Sequence, residues 1–175
     1  VEDILDLAEK SIFEISEKRT RRSFFSLKEV VTENFRSIDK LVNQPGIVTG
    51  VPTGFTDFDN KTSGLQPSDL IIIAARPSMG KTSFALDVAR YASLHSNIVT
   101  AVFSLEMSKD QLGMRMLCAE ARVNSSKLRT GYLAKSDWPR LSHVGEKLAQ
   151  AKIFIDDSPA LSSLDVRARA RRLAA

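Results

Sequence analysis

The stretch Leu70-Ile71-Ile72-Ile73-Ala74-Ala75-Arg76-Pro77-Ser78-Met79-Gly80-Lys81-Thr82-Ser83 decides the fold of this chain. An apolar run comes first, a turn with proline and glycine follows, and a helical pattern begins at Lys-Thr. This order of strand, loop and helix is typical of the phosphate-binding loop G-x-x-x-x-G-K-[ST], and it predicts a site for a nucleoside triphosphate. The match is complete except at Ala75, which occupies the position of the first glycine.

Each residue type in this loop has a chemical task. Successive backbone N–H groups surround the phosphate, and Gly80 lets the backbone approach it closely. The helix beginning near Lys81 directs the positive end of its dipole at the anion. Lys81 reaches the β- and γ-phosphates, and the Thr82 hydroxyl is a magnesium ligand. The predicted nucleotide-binding residues are Ala75, Arg76, Pro77, Ser78, Met79, Gly80, Lys81, Thr82 and Ser83.

The composition is that of an ordinary globular domain. The chain has 175 residues, of which 43% are hydrophobic and 26% charged, long enough for one domain with a core and an appendage. We see neither an apolar run long enough to span a membrane nor a signal peptide, so we expect a cytoplasmic protein. A net charge of +4 permits a nucleic-acid partner without requiring one.

Two amphipathic helices are predicted before the loop. Residues 1–19 carry apolar residues at three- and four-residue spacing. In the second helix, Ser26 and Glu29 form a capping box, and an apolar stripe runs from Leu27 to Val42. Residues 1–43 are therefore predicted as two amphipathic helices that can pack on each other as a hairpin. Residues 44–54, rich in proline and glycine, are predicted as the linker to a domain that spans 55–175.

The region after the loop alternates strands and helices. Strands are predicted at residues 98–105 and 153–155, and helices begin near Ser108, Ser136 and Ser162. This alternation predicts an α/β fold with a mainly parallel sheet covered by helices. The pattern stops inside a helix, so we expect a truncated, incomplete domain and a chain that is part of a longer protein.

Acidic residues follow both predicted strands, at the edge where ligands of parallel sheets gather. A carboxylate near the γ-phosphate can orient or deprotonate the attacking water, and Glu106 is our choice for that catalytic role beside Lys81. The alternative is an acid that only stabilises the start of a helix. Asp156 could be a magnesium-side aspartate or an acid in a turn, and the pattern leaves both open.

Several segments together resemble the bacterial DnaB-type replicative helicases. They are Thr49-Gly50-Val51-Pro52-Thr53-Gly54-Phe55-Thr56-Asp57-Phe58-Asp59, Gly64-Leu65-Gln66-Pro67-Ser68-Asp69-Leu70, the loop from Ala75 to Thr82, Ser104-Leu105-Glu106-Met107-Ser108 and Ile155-Asp156-Asp157. The resemblance covers essentially the whole chain. It implies a RecA-like P-loop motor core preceded, at residues 1–43, by the end of the family's helical hairpin and its linker helix.

The resemblance also implies an activity. The family forms homohexameric rings that hydrolyse ATP with Mg²⁺ and move 5′ to 3′ on single-stranded DNA at the replication fork. Primase and a helicase loader are partners, and the linker helix contacts the neighbouring subunit. Lys81 and Thr82 match the phosphate and magnesium residues, and Glu106 matches the catalytic glutamate. The family's magnesium-side aspartate lies on a later strand, so the resemblance argues against that role for Asp156.

Two other functions remain to be weighed. One is a different RecA-like ATPase, such as a repair recombinase or a phage primase-helicase, against which the helical residues 1–43 argue. The other is a non-catalytic assembly module, because the arginine finger and DNA loops lie outside this sequence. We expect the 175 residues alone to be inactive in hydrolysis, and an ATPase assay beside a full-length chain separates these cases.

Overall fold

A computed structural model describes residues 24–43 and 48–174 of the chain. The helix predicted at residues 1–19 lies outside the described residues. The described elements, in chain order, are α1 (Leu27–Asn43), α2 (Thr56–Thr62), α3 (Lys81–Ser96), β1 (Thr100–Phe103), α4 (Lys109–Ala121), α5 (Ser125–Thr130), α6 (Asp137–Ala149), β2 (Ile153–Asp156) and α7 (Ser163–Leu173). They fall into two compact units, Val1–Ile47 and Val48–Ala175.

Helix α1 is the described part of the first unit. Its start is the predicted capping box: the Glu29 N–H donates to Ser26 Oγ at 3.2 Å, and the Ser26 N–H donates to a Glu29 carboxylate oxygen at 3.3 Å. The apolar stripe is exposed, with Phe35 at 68% and Ile38 at 52% of full accessibility. This helix therefore carries an exposed apolar face.

The second unit begins with a folded segment before the phosphate-binding loop. Val51 and Leu65 form an antiparallel bridge, and the Gly50 N–H donates to the Ser63 carbonyl at 2.9 Å. Of the predicted linker 44–54, residues 44–47 lie outside the described residues and 48–54 belong to this unit. The domain boundaries themselves stay a prediction.

A parallel pair of strands forms the described sheet. In register, Thr100 lies beside Ile153 and Phe103 beside Asp156. Strand β1 is shorter than the predicted 98–105, because parallel pairing ends where β2 ends. The connection from β1 to β2 contains α4, α5 and α6, as parallel neighbours require.

The core lies on one side of this sheet. One cluster joins Leu86 of α3 to Leu112 and Met116 of α4, with Val102, Ile153 and Ile155 packed against it. A second cluster, formed by Ala121, Val123, Leu141 and Val144, joins α4 to α6. Helices α3, α4 and α6 thus share one continuous layer.

The prediction of a strand before the phosphate-binding loop is wrong, because this structure has no strand there. Residues 70–75 have no strand assignment, Leu70 is 87% exposed, and no described residue hydrogen-bonds to their backbone. The physical reason is that a strand requires a neighbour for its backbone groups, and the described residues supply none. Phe154 is also half exposed, so helices cover one face of the sheet rather than the predicted two within the described ranges.

Candidate functional site

The loop between residues 76 and 80 is a tight turn that leads directly into α3. The Met79 N–H donates to the Arg76 carbonyl at 3.2 Å, and Ser78 and Gly80 have φ angles of +65° and +89°. A residue other than glycine is strained at the Gly80 angle. A side chain there would meet nothing within 4 Å. Gly80 therefore sets the backbone turn, and the space in front of it is open to a ligand.

The N-terminus of α3 is arranged to bind an anion. The helix begins at Lys81 without a side-chain cap and without an acidic residue in its first turn. Its first N–H groups are therefore free for a ligand, and the helix dipole favours negative charge there. The Lys81 side chain is exposed and forms no ion pair with any residue that the structure describes. These features fit a bound phosphate group.

Aromatic packing holds α3 against the segment that precedes the predicted phosphate-binding loop. The ring of Phe84 stacks on Phe55 with a centroid distance of 4.9 Å, and Phe58 contacts it edge-on at 6.3 Å. Tyr91, two turns further along α3, lies against Gly54, where a Cβ atom would approach within 2.5 Å. Residues 54–58 thus support the helix that carries Lys81 and Thr82.

Glu106 lies in the loop between β1 and α4, at the carboxyl edge of the sheet. Its side chain is exposed and lines an open groove between α3 and α4 that Ser83 also lines. The structure therefore places the predicted catalytic acid on the same groove as the end of the phosphate-binding loop. Lys81 and Thr82 lie at the start of α3, next to this groove but outside its lining.

Asp156, at the end of β2, is engaged by groups of its own chain. Hydrogen bonds from Ser158 and the guanidinium of Arg169 hold the Asp156 pKa at about 2. The Arg169 Nη1 atom lies 2.5 Å from a carboxylate oxygen of Asp156 and 2.8 Å from Ser158 Oγ. This pairing joins β2 to α7 and favours the structural role over the magnesium role for Asp156.

Three helices meet at a cluster of charges beside the groove. Glu120 of α4 is paired with Arg90 of α3, and the Lys147 Nζ atom of α6 donates to its other oxygen at 2.9 Å. Burial of Glu120 acts to raise its pKa, but the hydrogen bonds and charges of Lys147 and Arg90 outweigh it and lower the pKa. The pairs fix α3, which begins at the phosphate-binding loop, against α4, which follows Glu106.

Sequence reasoning assigned no role to two carboxylates that form contacts near the site. Asp157 accepts a hydrogen bond from the Lys109 backbone N–H at 2.9 Å, although 48 positions separate them. Asp59 is buried and bonded to Thr53. The usable signal was that Asp157, like Glu106, follows a predicted strand, so the two belong at one edge of the sheet.

Comparison with known proteins identifies the family. Residues 50–175 match the family described as the DnaB-like helicase C-terminal domain. The chain belongs to the DnaB-like helicase family. It is 46% identical over 173 residues to the replicative DNA helicase DnaB of Geobacillus stearothermophilus and 49% identical over 177 residues to that of Haemophilus influenzae. The alignments cover 99% and 97% of this chain but 38% of either relative.

Solved structures of related proteins have the same fold. One structure, described as an ATPase domain, superimposes with a TM-score of 0.79 at 32% identity, over 86% of this chain and 52% of that one. A DnaB-like replicative helicase studied with its primase interactions gives a TM-score of 0.73 at 31% identity, over 94% and 39% of the two chains. The predicted RecA-like α/β class is confirmed, with a small parallel sheet that is incomplete in the described residues. No helix among the described residues is long and apolar enough to span a membrane.

Proposed function

We propose that this chain is the linker and the first part of the motor of a replicative DNA helicase, which unwinds duplex DNA 5′ to 3′ with the energy of ATP hydrolysis. One observation carries the proposal: Glu106 and Ser83, the last of the predicted phosphate-binding residues 75–83, line one groove in a chain of the DnaB-like family. The chain spans 38% of the length of its curated relatives, so the complete activity is assigned to a full-length helicase that carries this sequence.

The roles of individual residues follow from their positions. Residues 75–83, apart from Pro77, supply backbone N–H groups to the phosphates, and α3 adds its dipole. Lys81 adds a positive charge that forms no ion pair with the described residues. Glu106 lines the groove, where a carboxylate can orient the attacking water. Asp156 is excluded from this set because Arg169 and Ser158 already use its oxygens.

The site fits ATP with Mg²⁺ better than a metal bound by the protein alone. The described residues contain no group of three histidine, cysteine or carboxylate side chains that could hold a metal ion. Magnesium bound with a nucleotide needs few protein ligands, since phosphate oxygens and water complete its coordination. The Thr82 hydroxyl would be the protein ligand of the magnesium ion. The ion would neutralise the charge that develops on the phosphates.

The partners are also proposed from membership of the DnaB-like family. A ring of six copies would enclose single-stranded DNA. The exposed apolar stripe of α1 would pack against a neighbouring subunit and be buried there. A primase and a helicase loader are the other proposed partners. One structural neighbour was studied with its primase interactions. The bacterial replication fork lies in the cytoplasm, which is where we place the protein.

A kinetic comparison in the full-length helicase tests this function. We expect Glu106→Gln to lower ATP hydrolysis and unwinding of a forked DNA about a hundredfold or more, with ATP affinity within about twofold of the parent. Glu146→Gln, an exposed glutamate on α6 away from the groove, is the matched control and should hydrolyse ATP at the parent rate. Parent-rate hydrolysis by Glu106→Gln would show that the residue only stabilises a helix end.

A non-catalytic assembly role is the second candidate for the 175 residues taken alone. The observation that favours it is the apolar stripe of α1, which is exposed and has no task in nucleotide binding. Nucleotide binding without hydrolysis by the isolated chain, beside hydrolysis by the full-length protein, is the expected outcome.

A further inference from the structure

Two consecutive aspartates hold both ends of the loop that carries Glu106. At the first end, the Ser104 N–H donates to the backbone carbonyl of Asp156 at 2.9 Å and extends the pairing of β1 with β2. At the second end, the Asp157 carboxylate accepts from the N–H of Lys109, the first residue of α4, at 2.9 Å. Glu106 therefore lies on a span of five residues, 104–108, that is anchored at one end by the last residue of β2 and at the other by the residue that follows it.

The interior of this loop is also fixed. The Ser104 hydroxyl donates to the Met107 carbonyl at 2.7 Å and accepts from the Met107 N–H at 3.1 Å, which closes a turn around Glu106. The Ser108 side chain caps α4 by accepting from the Gln111 N–H at 3.4 Å. The contact of Asp157 is the one among these that comes from a side chain outside the loop.

A carboxylate at the start of a helix is favourable there, because it meets free N–H groups and the positive end of the dipole. Asp157 does more than cap, because it follows β2 and does not belong to α4 itself. It therefore fixes where α4 begins relative to the sheet. A catalytic group must be held within a fraction of an ångström, and small displacements are costly in rate.

We propose that Asp157 is a positioning residue for Glu106, which holds the catalytic loop in the conformation needed for ATP hydrolysis. The proposal rests on the proposed function of Glu106. Asp157 touches neither nucleotide nor water in this scheme, and it acts through the Lys109 N–H and the loop of residues 104–108. Its loss should lower kcat and leave ATP binding unchanged, because the residues that bind the phosphates lie on α3.

The first experiment removes the acceptor in the full-length helicase. Asp157→Ala is expected to lower kcat for ATP hydrolysis roughly five- to twentyfold, with KM and ATP affinity within about twofold. Asp157→Asn keeps an acceptor oxygen and should restore most of the rate. The matched control is Asp165→Ala, which removes the capping carboxylate of α7, whose hydrogen bonds are to Ser162 and not to the loop of residues 104–108. Equal kcat values for Asp157→Ala and Asp165→Ala would overturn the proposal.

A second pair of variants removes the donor instead. Lys109→Pro deletes the N–H at the first helical position, where proline is well accommodated. Ser108 already has the extended conformation, φ −69° and ψ 155°, that a following proline requires. Lys109→Ala keeps the N–H and is the control. The proline variant should lose kcat as Asp157→Ala does while the alanine variant does not, and equal rates for the two would contradict the proposal even if Asp157→Ala fails to fold.

A double-mutant cycle separates this proposal from the function on which it rests. In a Glu106→Gln background, Asp157→Ala should have no further effect on the residual rate, since there is no catalytic carboxylate left to position. If Glu106→Gln alone hydrolyses ATP at the parent rate, both the function of Glu106 and its positioning fail. If Glu106→Gln is inactive while Asp157→Ala retains the parent kcat, the positioning role alone is overturned.

Discussion

The carboxylate of Asp59 accepts hydrogen bonds from both the backbone N–H and the hydroxyl of Thr53, at 3.0 and 2.7 Å. Both residues are buried, and the Gly54 N–H donates to the same carboxylate at 3.2 Å. The turn closed by these bonds presents Phe55 to the ring of Phe84 on α3. The bonds therefore support the helix that begins at the phosphate-binding loop.

Removing the Asp59 carboxylate should destabilise the second unit. Asp59→Ala leaves buried donors of Thr53 without an acceptor, and we expect a loss of about 2–3 kcal/mol in the free energy of unfolding. Asp57→Ala is the control, because Asp57 lies in the same first turn of α2 but is exposed. It should cost no more than about 1 kcal/mol. Urea unfolding measures both, and equal losses would mean that the Asp59 bonds add nothing beyond the helix dipole.

The Asp156 contact with Ser158 and Arg169 predicts a pH-dependent stability. Its pKa falls from an ordinary value of 3.8 to about 2 in the folded protein, so the contact stabilises fully above pH 3.8 and is lost as the pH falls towards 2. Asp156→Asn should therefore melt below the parent at pH 6, and the difference should shrink between about pH 4 and 2. Thermal unfolding across this range is the measurement. A difference that stays constant or grows on acidification would contradict the assignment.

The stripe on α1 predicts a subunit contact. Its exposed apolar side chains are Leu27, Val30, Val31, Phe35, Ile38, Leu41 and Val42. Burying one such side chain contributes ~1.5–3 kcal/mol, so a subunit contact that covers several of them would be strongly favoured. Phe35→Asp together with Ile38→Asp should break the hexamer of the full-length protein and leave its nucleotide core folded, as sedimentation and nucleotide binding would show.

The control for this pair changes charge equally on the opposite face of α1. Thr32→Asp with Arg36→Gln lowers the net charge by two, as the stripe variants do, and both positions point away from the stripe at helical spacing. It should leave the ring intact. A hexamer that survives the two aspartates in the stripe would mean that the stripe is covered within its own chain.

Local sequence signals predicted the starts of several helices, although α2 and α5 were not predicted. The capping boxes at Ser26 and Ser162, and the cap at Ser108, mark where α1, α7 and α4 begin, because each box lies within four consecutive residues. The predicted start of a helix near Ser108 is confirmed, since α4 begins at Lys109 with Ser108 as its cap. Parallel pairing of the two strands also followed from the helices between them.

Contacts that join distant residues could not be predicted from pattern. Neither the pairing of Arg90 and Lys147 with Glu120 nor the Lys109 N–H bond to Asp157 has a signature, because 27 to 48 positions separate the partners. The strand predicted from the apolar run at residues 70–73 was wrong for the same reason. Its sequence favours a strand, but strand formation depends on a partner that the run cannot specify. The predicted phosphate-binding residues 75–83 are contiguous in the sequence, so a local pattern was enough to propose them as a group, and their binding role stays a prediction.

Titration of the protein with a fluorescent ATP analogue tests the central claim, that residues 75–83 bind a nucleoside triphosphate. Lys81→Ala removes a charge-assisted donor worth ~1.5–3 kcal/mol, so its affinity should fall by an order of magnitude or more. Lys61→Ala, which removes an exposed lysine from α2, is the matched control and should bind as the parent does. Equal affinity of Lys81→Ala and Lys61→Ala would contradict the assignment of the phosphate-binding loop.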